Sequence, residues 1–350
     1  MDFLNSPTYK NGVEEALSGV ELSALFHKTI LITGASGLLG SGLTDMLRFL
    51  NRTRDSDIQI LACGRSRDRL LGRFGPETAH LRYLCFSMGE EPGLPVPVDY
   101  MIHAAGNSYP AVIANDPTGT LLYGIEGIKS LLDRGMKHRL RRFLYVSSGE
   151  VYGKGDLSME AFPEGYAGFV DPLDPRSCYP MGKRAAETLC VSYHSQYGVS
   201  TVIARPSHLY GPNTLPQDNH AVALFLHQAA KGEPITLKSA GKALRSYTHV
   251  FDCALALLHL LIHGEEGRAY NIANPDSALT IAELAGIIAK KAGVPLCFED
   301  PDAIERAQFS PIEKQVLDAS LLLSTGFSPS IPVEAGIEAS IQILKELNSW

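Results

Sequence analysis

Short apolar segments alternate with stretches of helical spacing along much of the chain. The first apolar segment, Thr29–Thr33 (TILIT), is followed by glycines and then by helical spacing over Leu38–Leu50. Further strand-like segments are Ile58–Cys63, Leu81–Phe86, Tyr100–His103, Phe143–Ser147 and Ser200–Ala204. Short apolar strands that alternate with helices are typical of a parallel sheet covered on both faces. The pattern therefore predicts an α/β fold.

A glycine-rich loop connects the first predicted strand to the first long helix, and it reads GASGLLG over residues 34–40. Glycine at these positions allows a tight turn, a close approach of backbone amides to a pyrophosphate, and packing of the helix on the strand. The N-terminus of the helix adds unpaired N–H groups and a partial positive charge. The loop predicts dinucleotide binding by a Rossmann-type doubly wound parallel sheet. The predicted cofactor-binding residues here are Gly34, Ser36, Gly37, Leu38 and Gly40.

The remainder of the chain predicts a smaller companion domain. Pro206 and Gly211-Pro212 interrupt the alternation, and helices mixed with short strands follow. We expect this part to form a smaller C-terminal domain that binds the substrate. The predicted divisions are a lead-in helix in residues 1–27, a dinucleotide-binding domain in 28–205 to which 243–272 return, and a substrate-binding domain in 206–242 and 273–350.

The end of the second strand bears on the choice between NAD and NADP. An acidic residue there accepts a hydrogen bond from the ribose 2′-hydroxyl of NAD, whereas an arginine favours a 2′-phosphate. Residues 63–66 read CGRS, with Arg67 and Arg69 close behind. Arg65 is therefore a predicted cofactor contact that favours NADP. The alternative is a solvated Arg65 that stacks on the adenine, and the choice of cofactor stays open at this point.

A serine, a tyrosine and a lysine in this order indicate acid–base chemistry. The fifth strand runs into Ser148, and Tyr179 lies four residues before Lys183 at the start of a predicted helix. Residues with that spacing share one helix face. A neighbouring ammonium favours the phenolate, which makes Tyr179 a candidate general base. Ser148, at the carboxyl end of a strand, would hydrogen-bond the same substrate oxygen, because doubly wound sheets bind ligands at that edge.

Five ordered motifs resemble the NAD-dependent epimerase/dehydratase family, the extended branch of the short-chain dehydrogenases. They are TGASGLLG, HAAG (103–106), SSGEVYG (147–153), YPMGK (179–183) and RPSHLYGP (205–212). The resemblance implies an enzyme in which Tyr179 takes the proton from the 4-hydroxyl of a nucleotide sugar while hydride passes to NAD. A 4-keto sugar results. The cofactor contacts that the resemblance implies outside the glycine loop are Ala104, Ala105, Gly106, Tyr179 and Lys183.

Within that family the motifs are nearest to UDP-glucuronate decarboxylases and dTDP-glucose 4,6-dehydratases. Glu150 lies where both groups carry a working glutamate, and a carboxylate beside C5 could manage a proton there; the alternative is a local loop contact. Gly149 replaces the aspartate with which dehydratases protonate the departing 6-hydroxyl, which argues against simple dehydration. The alternatives are a 4-epimerase, an NADPH-dependent reductase of 4-keto sugars, and a non-catalytic dinucleotide-binding scaffold.

The predicted substrate contacts lie in three segments. Asn107, Ser108 and Tyr109 follow HAAG, and the equivalent loop of similar enzymes faces the sugar. His208 replaces an asparagine that touches the substrate phosphates in the family, and it keeps a hydrogen-bond donor there. Arg245, in the stretch RSYTHVFD, matches a family arginine that grips the diphosphate, a role suited to a planar bidentate donor.

The composition of the chain limits the classes of partner that we expect. The net charge is −7 without a long basic block, which argues against nucleic acid. The six cysteines form no CxxC pair and no metal-like spacing with histidine, which predicts reduced thiols, a cytoplasmic location and no metal. The most apolar stretch, Cys253–Ile262, is too short to span a bilayer, so no membrane contact is expected. Family likeness adds the expectation of a homodimer.

Overall fold

A seven-stranded parallel sheet forms the centre of the protein. The computed structural model describes residues 2–87, 93–94, 96–215, 218–302, 309–310 and 312–347. The strands of the sheet are β1 (Thr29–Thr33), β2 (Gln59–Gly64), β3 (Leu81–Cys85), β4 (Tyr100–His103), β5 (Arg142–Val146), β6 (Thr201–Pro206) and β10 (Arg268–Ile272). Their order is β3-β2-β1-β4-β5-β6-β10, and neighbours run parallel. The predicted Rossmann-type fold is confirmed, with the strand order reversing between β1 and β4.

Helices cover both faces of this sheet. They are α1 (Pro7–Ala16), α2 (Leu38–Thr53), α3 (Arg67–Phe74), α4 (Pro110–Asn115), α5 (Pro117–Lys137), α6 (Cys178–Tyr197) and α8 (Val250–His263). One apolar core joins Ile32 of β1 to Leu43 of α2 and to α8, and the opposite core joins Leu31 to Ile128 of α5 and to α6. Successive residues of β1 thus enter opposite cores, which explains its uninterrupted apolar run. Within the described ranges, no helix combines the length and the apolar character needed to cross a membrane.

Two smaller sheets and their helices lie beside the main sheet. The strands are β7 (His208–Tyr210), β8 (Ile235–Leu237), β9 (Leu244–His249), β11 (Ala278–Thr280), β12 (Leu296–Phe298) and β13 (Lys314–Gln315), and the helices are α7 (Ala221–Lys231), α9 (Ile281–Ala292), α10 (Ser320–Ser324) and α11 (Val333–Leu347). Strand β9 pairs with β7, β11 and β13 in the four-stranded small sheet, and β8 pairs with β12 in a separate two-stranded sheet. Because Ser207 alone separates β6 from β7 and β9 leads directly into α8, the small sheet is held close to the main one.

Residues 2–27 are anchored by a buried network of charges. Asp45 of α2 is fully buried, and its carboxylate binds Arg48 at 2.8 Å, Arg73, and the hydroxyl of Tyr9 at 2.9 Å. The side-chain amide of Asn213 donates to the same hydroxyl at 2.8 Å. The two arginines offset the buried Asp45 carboxylate, as buried charges require, while Nη1 of Arg73 and Oδ1 of Asn213 have no hydrogen-bond partner among the described residues. The network ties α1 to α2 and to the segment after β7.

Candidate active site

The carboxyl ends of β1, β2, β4 and β5 open into a cavity of about 1370 Å³. Every residue predicted above to contact cofactor or substrate lines this cavity. We call the part lined by Gly34, Gly40, Arg65 and Ala105 the glycine-loop half, and the part lined by His208, Arg245 and Gln315 the small-sheet half. Pockets for single ligands measure roughly 300–1,000 Å³, so this one has room for two.

The glycine loop leaves no room for side chains at two positions. Gly34 has φ +69°, and a Cβ atom there would lie 2.8 Å from the amide nitrogen of Ala105. A Cβ atom on Gly40 would lie 2.2 Å from the carbonyl oxygen of Gly34. The residue that precedes α2, Gly37, makes no capping hydrogen bond from a side chain, so the first N–H groups of the helix stay available. A pyrophosphate fits such a cradle of backbone donors.

A buried histidine holds the HAAG segment against the glycine loop. The Nδ1 atom of His103 lies 2.7 Å from Oγ1 of Thr33, and the amide of Ala105 donates to that oxygen at 3.2 Å. Burial, aided by the charge of Lys183, lowers the pKa of His103 to about 3. The imidazole is therefore neutral at physiological pH, and its role is to fix the ends of β1 and β4 relative to each other.

The arginines after β2 divide into two groups. Arg65 and Arg69 are exposed and line the cavity. Arg67 forms an ion pair with Glu77, and its guanidinium lies 5.8 Å from the centroid of the Tyr83 ring. Arg67 is therefore engaged elsewhere, and Arg65 and Arg69 are the two of these arginines that line the cavity.

Ser148, Tyr179 and Lys183 converge at one point of the cavity wall. Ser148 and Tyr179 both line the cavity at this point, and the Ser148 side chain acts to lower the pKa of the phenol. Lys183 Nζ donates to the carbonyl of Val146 at 2.8 Å and lies 5.8 Å from the centroid of the Tyr179 ring. The amide of Glu150 donates to Ser148 Oγ at 3.1 Å, which orients the serine. Helix α6 supplies the tyrosine and the lysine, and the end of β5 supplies the serine.

The ionisation of this group differs from the sequence-based expectation. Burial raises the pKa of Tyr179 to about 12, and the negative charge of Glu150 adds to that rise. The Ser148 side chain and the charge of Arg176 act in the opposite direction. Burial lowers the pKa of Lys183 to about 8, against the charge of Glu187. The expected bias toward a phenolate is therefore wrong for the protein alone, because desolvation outweighs the Ser148 interaction and the positive charge of Arg176.

An arginine that the sequence did not single out pairs with Glu150. The guanidinium of Arg176 lies 3.1 Å from the Glu150 carboxylate, and about four fifths of each side chain is buried. Arg176 precedes Tyr179 by one helical turn, yet nothing in its position along the chain predicts this partner. The pair fixes the Glu150 carboxylate close to Ser148 and Tyr179.

A second missed pair lies behind Lys183. The Glu187 carboxylate accepts from Arg205 in a bidentate geometry, at 2.9 and 2.6 Å, and from Ser147 at 2.5 Å. Glu187 follows Lys183 by one turn of α6 and its negative charge favours the charged form of the lysine. Bidentate arginine–carboxylate pairs hold their partners rigidly. This pair fixes the register of α6 against β6, and with it the position of Lys183.

The small-sheet half contains buried polar side chains. Burial lowers the pKa of His208 to about 3, and its Nδ1 atom has no hydrogen-bond partner among the described residues. His208 is half-buried, whereas Arg245 is buried and donates to the carbonyls of Leu244 and Ile312. Gln315, which the sequence did not point to, completes this group as a buried lining residue.

The loop after HAAG is held from across the cavity. Nε2 of His220 lies 3.0 Å from the carbonyl oxygen of Ser108, and its Nδ1 lies 2.6 Å from the Asp218 carboxylate. Two acceptors on one imidazole require both ring nitrogens to carry hydrogen. Consistently, and although burial opposes it, the Asp218 carboxylate raises the pKa of His220. The ring also packs against Tyr109, so His220 fixes Ser108 and Tyr109, two of the three residues predicted to face the sugar.

Comparisons with known proteins agree with this arrangement. The chain matches the NAD dependent epimerase/dehydratase family over residues 30–273. It is 30% identical over 330 residues to UDP-glucuronic acid decarboxylase 1 of Xenopus tropicalis, covering 93% of this chain and 74% of that protein. It is 34% identical over 257 residues to UDP-glucuronic acid decarboxylase 5 of Arabidopsis thaliana, covering 73% and 72%. The fold is similar to that of a dTDP-glucose 4,6-dehydratase from Streptomyces venezuelae solved with NAD bound, with a TM-score of 0.76, 22% identity and coverage of 92% and 98%.

Proposed function

The chain belongs to the NAD dependent epimerase/dehydratase family, and on that premise we propose that it decarboxylates UDP-glucuronic acid by way of a 4-keto sugar. It is an enzyme of an NAD-dependent family, and two relatives at 30% and 34% identity carry the name of this activity. One observation carries the proposal: Glu150 is held by Arg176 beside Ser148 and Tyr179, while Gly149 offers no side chain that could act as an acid.

The first step falls to the serine, the tyrosine and the lysine. When bound, NAD supplies a hydride acceptor for C4 of the sugar and later returns the hydride. Tyr179 accepts the proton of the 4-hydroxyl, and Ser148 hydrogen-bonds the same oxygen. Burial raises the pKa of Tyr179 to about 12 in the protein alone, so the phenol must first release its own proton to solvent. The positive charges of Lys183 and of a bound nicotinamide ring would favour that loss, and the phenolate then accepts the proton of the 4-hydroxyl as the C4 hydrogen leaves as hydride.

The second step follows from the substrate's own chemistry. Oxidation at C4 turns the C5 carboxylate into a β-keto acid, whose C5–C6 bond breaks with release of CO2. The bonding electrons move to the C4 oxygen, where Ser148 and Tyr179 stabilise the negative charge. C5 then gains one proton, and Glu150 is the group placed to guide it. A 4-keto pentose remains, and return of the hydride gives UDP-xylose.

The experiment that tests this proposal incubates the protein with NAD and UDP-glucuronic acid and follows the sugar protons by NMR. The expected product carries two hydrogens on C5 and lacks C6, and CO2 is released in equal amount. Tyr179→Phe is the control and is expected to form product at least about 10²-fold more slowly. Unchanged UDP-glucuronic acid in the presence of the folded, NAD-loaded wild type would overturn the proposal.

A second candidate function rests on the two arginines of the glycine-loop half. Arg65 and Arg69 line the cavity where an adenosine ribose is expected, and both suit a 2′-phosphate. An NADPH-dependent reductase of a 4-keto nucleotide sugar would use them. Stoichiometry separates the two candidates, because the reductase consumes one reduced nicotinamide per product whereas the decarboxylase consumes none.

We also propose a nucleotide sugar as substrate and a homodimer as the working form. Helices α5 and α6 pack side by side and expose large apolar side chains on their outer surface. These are Leu122 and Met136 on α5 and Val191 and Tyr197 on α6. A second copy packed on these helices would cover them. Light scattering at twice the chain mass of 37.9 kDa would support the dimer, and a mass equal to one chain would refute it.

A further inference from the structure

The amide of Gln315 is a polar group without a protein partner at the wall of the cavity. The residue is 3% exposed and lines the small-sheet half. Its Nε2 atom is buried and makes no hydrogen bond within the part of the chain that the structure describes. Buried polar groups in native proteins are almost always paired. An amide that stays unpaired beside a cavity therefore indicates a contact with whatever fills that cavity.

The position of Gln315 places this amide at the sugar-reacting end of the cavity. A Cβ atom on Gly149 would lie 3.2 Å from Cδ and 3.3 Å from Nε2 of Gln315, so the carboxamide packs directly on that glycine. The neighbours of Gly149 along the chain are Ser148 and Glu150, which flank Tyr179. Gln315 thus occupies the space that a side chain at position 149 would otherwise fill.

The surroundings of the amide suit an anion. Strand β13 pairs with β9 so that Gln315 stands opposite Arg245, a buried cation whose observed donations go to two backbone carbonyls. The nearby carboxylate of Glu150 is neutralised by Arg176. A carboxamide nitrogen donates hydrogen bonds and does not release its proton at neutral pH. It can therefore donate a hydrogen bond to a negatively charged oxygen without protonating that oxygen.

We propose that Gln315 is the residue that recognises the C5 carboxylate of a hexuronate, with Nε2 donating a hydrogen bond to a carboxylate oxygen. This rests on the proposed function, because it assigns the acidic sugar of that substrate to a contact in the same site. Gln315 then determines which sugar is accepted. A neutral 6-hydroxyl at the same place would gain less binding free energy from this contact, because hydrogen bonds to charged groups are stronger than those between neutral groups.

The test measures binding by calorimetry with the NAD-loaded full chain, in a Tyr179→Phe background that prevents turnover. The three ligands are UDP-glucuronic acid, UDP-glucose and UDP. Gln315→Ala is expected to weaken UDP-glucuronic acid about tenfold and the other two by less than about threefold. Gln315→Glu keeps the size of the side chain and puts a negative charge against the carboxylate, so a loss of roughly 100-fold is expected.

A matched control is available in α7. Gln228 also has a buried amide atom without a partner in the described ranges, but it lies outside the cavity lining. Gln228→Ala is expected to leave all three affinities unchanged. Melting temperatures of each variant, measured with and without NAD, verify that the chain is folded and loaded.

The outcomes separate this inference from the proposed function. Equal losses for all three ligands would place Gln315 on the nucleotide diphosphate, and unchanged affinities would make its amide purely structural; either result overturns the inference. If the background variant binds UDP-glucuronic acid and the wild type decarboxylates it while Gln315 has no effect, the function stands without the inference. Failure to bind UDP-glucuronic acid at all overturns both.

Discussion

The two halves of the cavity are built by different means. The glycine-loop half is shaped mainly by backbone, since Gly34 and Gly40 have no space for a side chain and α2 begins without a side-chain cap at Gly37. The small-sheet half is shaped by side chains, since the half-buried His208 and the buried Arg245 line it. A phosphate group common to many ligands can be held by the first kind of surface. Discrimination between sugars needs the second, because specific atoms must meet specific donors.

The two halves should also differ in which substitutions they tolerate. Backbone recognition fails when a Cβ atom enters the wrong place, whereas most side chains nearby can vary. Side-chain recognition fails when a donor or a charge is lost. Substitutions in the two halves should therefore differ in the size of their effects.

The largest effect is expected from Gly40→Ala. Its Cβ atom would lie 2.2 Å from the Gly34 carbonyl oxygen, so the loop must open and the phosphate cradle is lost. NAD binding, measured by calorimetry, should weaken at least about 100-fold, or roughly 2.7 kcal/mol. Gly37→Ala is the matched control, because its Cβ atom would lie 3.3 Å from the same oxygen and a small shift can relieve it. Similar affinities for the two variants would contradict a backbone-built half.

A pH effect of intermediate size should appear in both halves. His103 and His208 have a folded-state pKa of about 3, lowered by burial from 6.5. Below pH 6.5 the unfolded chain binds protons that these folded histidines do not, so the stability they contribute is complete above pH 6.5 and is lost progressively toward pH 3. From pH 7.5 to 5.5, each should reduce the free energy of unfolding by about 1.4 kcal/mol.

Urea unfolding of His208→Asn checks this expectation. The variant restores the residue usual in the family and removes one of the two groups, so its loss of stability between pH 7.5 and 5.5 should be smaller than that of the wild type by about 1.4 kcal/mol. An identical pH dependence in the wild type and the variant would show that His208 is not held neutral in the folded state.

The smallest effect is expected from the exposed arginines. Arg65→Ala should reduce the affinity for NADP roughly fivefold, about 1 kcal/mol, while the affinity for NAD changes little. Arg67→Ala is the control, since Arg67 is engaged with Glu77. A preference for NADP that disappears in Arg65→Ala would qualify the comparison, because a side chain would then contribute recognition in the glycine-loop half. If Arg65→Ala changed the affinities for NAD and NADP equally, recognition in the glycine-loop half would rest on the backbone alone.

Most of the main sheet could be predicted from the chain. Strands β1 and β4 begin and end at the predicted residues, and β2 and β5 are displaced by one residue. Apolar runs between glycines and polar turns determine these elements locally. The two smaller sheets were much harder to predict from the sequence. Strands β11, β12 and β13 contain two or three residues each, and so short a pattern does not indicate a strand.

The sequence by itself determined the Rossmann-type fold, the dinucleotide cradle and the placement of Ser148, Tyr179 and Lys183 at one site. Most of these features depend on local spacing. The turn formed by residues 34–40 and the shared helix face of Tyr179 and Lys183 each follow from the order of residues within one short stretch. Only the tertiary structure decided that Arg176 pairs with Glu150, that Glu187 and Arg205 support Lys183, and that Gln315 packs on Gly149. Such pairs join segments distant along the chain, and no local pattern records them. The tertiary structure also reversed the expected pKa shift of Tyr179, because desolvation depends on how completely the surrounding elements close over a ring.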